Sequence, residues 1–199
     1  MKYFVTAIDT DSGKTLVSAI LCRALKADYW KPVQAGSPTD SDQIKKWCAG
    51  TKIHAETYLL NTPESPHAAA KKEKIKIELD QFSIPEYKEN LIIEGAGGLM
   101  VPLNDDELMI DLIEKLDIEV VLVCNLYLGS INHSLLSIEA LQKRGVQIKG
   151  VVFNGDANNE SEEIILKYAK APCLLRIKKE HQINEEIIGQ YAEQLLKKL

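Results

Sequence analysis

The chain has 199 residues, 45% of them hydrophobic, and a formal net charge of −5. That length suits one domain, residues 1–199, burying roughly 70% of its unfolded surface. The acidic balance argues against a nucleic-acid binder, which needs a dense positive face, and no apolar run approaches the ~20 residues that cross a bilayer.

In chain order, residues 2–8 (KYFVTAI) read as a strand and Lys14 to Ala27 as a helix. A second strand is expected over Tyr29–Val33 and a short buried one over Leu91–Glu94. Leu108–Leu116 reads as a helix and Val120–Asn125 as the most apolar strand. Asn132–Lys143 is a helix ended by Gly145, a residue suited to the position after a helix. Lys149–Asn154 (strand), Ser161–Lys170 (helix) and Cys173–Ile177 (strand) follow. Glu185–Leu199 closes the chain as a helix with Ile187, Ile188, Tyr191, Leu195 and Leu196 on one face. Residues 35–90 hold four of the seven prolines and show no regular period.

Continuously apolar strands separated by helices define a single-domain α/β fold, a mostly parallel sheet covered by helices on both faces. Such sheets bind ligands beyond the carboxyl ends of their strands, so the irregular stretch is expected over that edge. The four cysteines form no CxxC pair, and Cys22 and Cys124 sit in apolar patterns. Reduced thiols in a cytoplasmic protein are expected. The N-terminus turns polar at Asp9 and shows no secretory leader.

The first strand leads through Asp9-Thr10-Asp11-Ser12-Gly13-Lys14-Thr15 into the first helix. The N–H groups of Asp11 to Leu16 can point at a phosphate there, Lys14 can reach the β- and γ-phosphates, and the Thr15 hydroxyl can ligate Mg²⁺. The pattern GxxxxGK[ST] asks for glycine where Ile8 stands. Lys31 lies in an apolar run; its alternative role is a lysine reaching to solvent at a strand end. Asp42 precedes a short helix as either a metal group or a cap. Glu94, ahead of Gly95-Ala96-Gly97-Gly98, stands where a phosphate-binding enzyme keeps a second metal carboxylate. Thr15, Asp42 and Glu94 make a candidate Mg²⁺ shell, with Gly95, Ala96 and Gly97 letting the main chain near the phosphates. His67 carries no assigned role, His133 reads as packing or bonding at its helix start, and His54 and His181 read as surface residues.

Thr10 to Thr15, Lys31-Pro32-Val33, Ser41-Asp42, Ser65-Pro66-His67, Glu94 to Gly98 and Leu128-Gly129-Ser130-Ile131-Asn132-His133, in that order, resemble dethiobiotin synthetase. The resemblance covers residue 3 to about 154. It implies an ATP- and Mg²⁺-dependent ligase acting on 7,8-diaminononanoate and CO₂ (or bicarbonate) through a carbamate and a carbamic-phosphoric anhydride. It also implies a homodimer with substrate sites at the interface. Lys31 would then serve the carbamate and γ-phosphate. Gly129, Ser130, Ile131 and Asn132 would hold the substrate carboxylate from the neighbouring subunit, and Asn154 would contact adenine. Taken alone, the 129–132 loop reads as a helix cap by Ser130 or Asn132. Three positions depart from the family pattern: Ala7 for glycine, Ala35 for serine or threonine, and Ile177-Lys178-Lys179-Glu180 for an Ile-Pro segment near the base. The rival reading is a ParA/MinD-like switch ATPase. Such proteins usually have a second lysine near Asp9 or Thr10, absent here, and many have an amphipathic C-terminal membrane helix; the apolar face of the closing helix here suits a docked core helix equally well.

Overall fold

A computed structural model describes residues 1–199. Seven parallel strands form the main sheet. They are β1 (Lys2–Ala7), β2 (Asp28–Trp30), β4 (Ile53–His54), β6 (Leu91–Gly98), β7 (Val120–Asn125), β8 (Ile148–Asn154) and β9 (Cys173–Ile177), in the order β4-β2-β6-β1-β7-β8-β9. A two-stranded parallel ribbon, β3 (Val33–Ala35) with β5 (Tyr58–Leu60), stands beside it. The helices are α1 (Lys14–Leu25), α2 (Asp40–Trp47), α3 (Pro66–Glu73), α4 (Met109–Leu116), α5 (Ser130–Lys143), α6 (Asn159–Ala169) and α7 (Glu185–Leu196).

The continuous apolar strands are explained by burial on both faces. Along β1, Phe4 enters the core under α3 to α6, while Tyr3, Val5 and Ala7 enter the core under α1, α2 and α7. Along β7 the same alternation sends Val120, Leu122 and Cys124 one way and Val121 and Val123 the other. Helix α7 docks against α1 and buries Ile188, Tyr191, Ala192 and Leu195. Leu196, expected on that face, is instead exposed. No helix is long and apolar enough to cross a membrane.

The structure corrects several expected boundaries. The strand expected over Tyr29–Val33 breaks at Lys31-Pro32, because Pro32 has no N–H for a ladder. Its carbonyl instead accepts from Thr57 and Tyr58, starting the side ribbon. The irregular stretch contains α2, α3, β4 and β5. Helix α5 starts two residues early, at Ser130, with Gly129 (φ 108°) before it and no side-chain cap, so neither Ser130 nor Asn132 caps it. It ends as expected: Gly145 at φ 69° lets the Val146 and Gly145 N–H groups return to Leu141 and Gln142. All four cysteines are unpaired. His54 is not a surface residue; its Nε2 lies 3.0 Å from Asp28 Oδ2, with the side chain 9% exposed.

Candidate active site

The carboxyl end of β1 feeds a single 3₁₀ turn, Thr10–Ser12, before α1. The turn closes on itself. Asp9 accepts the Thr10 N–H at 2.7 Å, and the Ser12 hydroxyl accepts the Asp9 N–H at 3.1 Å and donates to Asn125 Oδ1 at 2.7 Å. Gly13 then turns at φ 99°, and a Cβ there would meet Asn154 Nδ2 at 2.4 Å. Glycine is therefore obligatory at 13 on two counts, backbone and contact. Ile8 has no left-handed backbone, so the glycine expected there by the motif is not needed by this loop.

Lys14 folds over the loop, donating to the carbonyls of Asp9 (3.0 Å) and Thr10 (2.8 Å). Burial, with Lys31 nearby, lowers its pKa to about 8 despite the attraction of Glu94 and Asp40. The unfolded chain therefore holds this proton up to 10.5, and stability of the free protein should rise with pH between about 8 and 10.5 as the buried cost disappears. In the phosphate-binding role expected for Lys14, a bound phosphate would need the ammonium. ATP affinity is accordingly expected to fall up to tenfold per pH unit above about pH 8; calorimetric titration of ATP from pH 7 to 9 checks this, and a flat profile would contradict it.

Across the loop stands a second group of charges. Lys31, displaced from the ladder by Pro32, is 3% exposed and reaches Asp40 Oδ2 at 2.6 Å, Glu94 Oε1 at 3.2 Å and the Gly95 carbonyl at 3.3 Å. Burial opposes its charge, but Glu94 and Asp40 outweigh that and raise its pKa. Thr15 Oγ1 lies 3.0 Å from Asp40 Oδ1 and 2.9 Å from Glu94 Oε1; its single proton serves one of them at a time. Glu94 belongs to β6, whose pairing with β1 jumps from Val5↔Glu94 to Ala7↔Gly98. Gly95-Ala96-Gly97 is therefore a bulge inside the strand rather than a turn after it, with Gly97 at φ 66°. The bulge brings Ala96 and Gly97 to the rim of a cavity of about 630 Å³ shared with Thr10, Lys14, Thr15, Lys31, Ala35 and Asp40.

Asp42 is not in this group. Thr39 caps α2 and accepts the Asp42 N–H at 3.0 Å. The Asp42 carboxylate is solvated and faces Lys45 at 3.3 Å; the Thr39 hydroxyl and Lys45 hold its pKa below the usual range. Two residues along a helix turn a side chain by about 200°, so Asp40 at the first position faces the cavity and Asp42 faces away. The sequence repeats a hydroxyl residue before aspartate, Thr39-Asp40 and Ser41-Asp42, and the spacing alone does not choose between them. Sequence reasoning also missed Gln34, whose Oε1 accepts the Asp40 N–H at 3.1 Å, and Tyr29, whose hydroxyl donates to Glu94 Oε2 at 3.0 Å.

The remaining expected residues lie on the same edge but not all in the cavity. Ser65 and Pro66 line it. Asn154, at the end of β8, donates to the Ser12 carbonyl at 2.9 Å and braces the loop. Gly129 to Asn132 stand apart, at the uncapped start of α5. His133, in the same turn, pairs its Nδ1 with the Tyr127 hydroxyl and lines a second cavity of about 350 Å³ with Asp9, Thr10 and Met100.

Thr15, Asp40 and Glu94 offer one hydroxyl and two carboxylates, all hard oxygens. That set fits Mg²⁺, which takes one or two carboxylates and completes its shell with water and phosphate oxygens.

Known proteins resemble this chain in sequence and in fold. The family described as an AAA domain matches residues 1–187. The ATP-dependent dethiobiotin synthetase BioD of Cytophaga hutchinsonii is 54% identical over 198 residues, covering 98% of this chain and 96% of that protein. That of Christiangramia forsetii is 48% identical, covering 99% and 97%. Among solved structures, the septum site-determining protein MinD of Pyrococcus horikoshii OT3, complexed with Mg-ADP, aligns with TM-score 0.60 at 14% identity, over 98% of this chain and 95% of that one. A ParA family ATPase of Chlorobium tepidum TLS aligns with TM-score 0.56 at 16% identity, over 99% and 95%. The switch ATPases share the fold alone, whereas sequence identity over nearly the whole length places this chain in the dethiobiotin synthetase family.

Proposed function

We propose that the chain catalyses ATP-dependent formation of dethiobiotin from 7,8-diaminononanoate and CO₂. The observation that carries this is the Lys31–Asp40–Glu94–Thr15 group facing Lys14 across a phosphate loop, in a chain 54% identical to a dethiobiotin synthetase. One amine adds to CO₂, giving a carbamate and releasing a proton. A carbamate oxygen attacks the γ-phosphorus, and ADP leaves with the bridging oxygen. The second amine attacks the carbamoyl carbon, loses a proton and expels inorganic phosphate, closing the ring.

The loop N–H groups and Lys14 hold the triphosphate. Lys31 places a fixed cation where carbamate and γ-phosphate meet, so it stabilises charge without reorganisation during transfer. Thr15, Asp40 and Glu94 would hold Mg²⁺, which when bound neutralises charge on the phosphate oxygens. Asn154 would meet the adenine. Ala35 in the cavity wall offers no hydroxyl, so the substrate lacks one hydrogen bond there. Phosphate release from Mg-ATP and bicarbonate is expected to depend on the diamine, with a product that lacks free amines. Release indifferent to the diamine would sink the ligase reading and favour a switch ATPase.

A homodimer in the cytoplasm completes the proposal. Met100, Tyr127, Leu128, Ile131 and Leu136 are exposed on and beside the start of α5. Solvated apolar side chains gathered in this way mark a contact surface. A second copy laid there would bring its Gly129-Ser130-Ile131-Asn132 N–H groups toward the substrate carboxylate. Sedimentation at micromolar concentration is expected to give a dimer mass, and Leu128→Glu a monomer with lost turnover; a monomeric parent protein would contradict the shared site.

A further inference from the structure

Glu94 has two carboxylate oxygens with different surroundings. Oε1 faces the cavity group, 2.9 Å from Thr15 Oγ1 and 3.2 Å from Lys31 Nζ. Oε2 faces inward and accepts one bond, from the Tyr29 hydroxyl at 3.0 Å. Tyr29 is fully buried in the core shared by α1, α2 and α7, on the strand that pairs it with Ile92 of β6. Its ring is locked by packing, and its only polar side-chain atom is spent on Glu94. Burial, with the charge of Glu94, raises the Tyr29 pKa well above the usual range, so the hydroxyl remains a donor. An oxygen of a carboxylate whose side chain is wholly inaccessible would otherwise be left without a partner.

We propose that Tyr29 is a positioning residue for the metal site: its hydroxyl ties down Glu94 Oε2, fixes the carboxylate plane, and leaves Oε1 alone to face the metal and Thr15. This rests on the proposed role of Glu94 toward Mg²⁺. Partners of this kind orient metal ligands, and their loss typically costs 10–100-fold in metal affinity. Tyr29 does not line the cavity, so its effect passes through Glu94. Freed of Tyr29, the carboxylate can rotate Oε2 toward Lys31, which competes with the metal for it.

The test is Mn²⁺ binding to the full-length protein with saturating ADP, read by the free-ion electron paramagnetic resonance signal, for the parent protein, Tyr29→Phe, Glu94→Gln and the double variant. Phenylalanine keeps the packing, and circular dichroism melting verifies the fold. Tyr29→Phe is expected to weaken Mn²⁺ binding about 10–100-fold while metal-free ADP affinity is unchanged. The double variant should bind no more weakly than Glu94→Gln. Mn²⁺ affinity of Tyr29→Phe within about twofold of the parent, with Glu94→Gln impaired, would overturn the positioning role alone. An unimpaired Glu94→Gln would overturn the metal role of Glu94 and the inference with it. If Tyr29→Phe melts too early to assay at room temperature, the same titrations are run well below its melting temperature, with the same two readings.

Discussion

Lys31→Ala is expected to reduce turnover by about a thousandfold or more while ATP still binds. The ammonium sits 2.6 Å from Asp40 and 3.2 Å from Glu94. In the proposed mechanism its removal deletes the fixed charge at the transfer centre and spares the loop groups assigned to the triphosphate. It also strands Glu94, whose side chain is fully buried. Breaking a buried pair from one side costs about 3–5 kcal/mol; Asp40 is partly solvated, so the lower end applies, and the melting temperature should drop by roughly 6–12 °C. Lys31→Met, which keeps the stem, separates packing from charge and should lose turnover equally. Phosphate release and binding of a fluorescent ATP analogue check both parts. Full activity in either variant would remove Lys31 from the mechanism.

Asp40→Asn and Asp42→Asn should behave oppositely, although the two residues are neighbours in one helix. Asp40 pairs with Lys31 and meets Thr15 Oγ1 at 3.0 Å. The amide cannot replace that charge against Lys31 or toward the proposed metal. Turnover should fall by about a hundredfold, and the Mg²⁺ concentration needed for half-activity should rise about 10–100-fold. Asp42 contributes its N–H to the Thr39 cap, which asparagine keeps, and its carboxylate meets only the Thr39 hydroxyl and exposed Lys45. Its variant should stay within about twofold of the parent in turnover and Mg²⁺ demand. Mg²⁺ titrations of both variants decide the matter. An Asp42 variant that needs more Mg²⁺ than the Asp40 variant would reverse the assignment.

These two aspartates mark the limit of the sequence. Helix α2 was foreseeable as a short helix, but its phase depends on which residue caps it. Thr39 and Ser41 are both acceptable caps, and intrinsic preference favours the serine. Thr39 wins because the Asp40 N–H is taken by Gln34 from the side ribbon, a contact between segments that no local pattern encodes. Tyr29 escaped notice for the same reason. A tyrosine in a buried strand reads as core, and its hydroxyl gains a role only when β2 and β6 lie side by side.

The amino-acid pattern was enough to read the α/β class of fold, the turn from Asp9 to Thr15 as a candidate phosphate loop, and Lys31 and Glu94 as candidate site residues. Each follows from local chemistry. Uniformly apolar strands must be covered on both faces, a Gly-Lys-Thr turn between strand and helix offers N–H groups to an anion, and charged residues in apolar runs need partners. Tertiary structure alone decided which carboxylate joins them, that Gly95 to Gly97 bulge within β6, and that α7 docks as a core helix. Those outcomes depend on strand register and helix phase. Both are set by packing between segments far apart in the chain, where a shift of one or two residues turns a side chain from the cavity to the solvent.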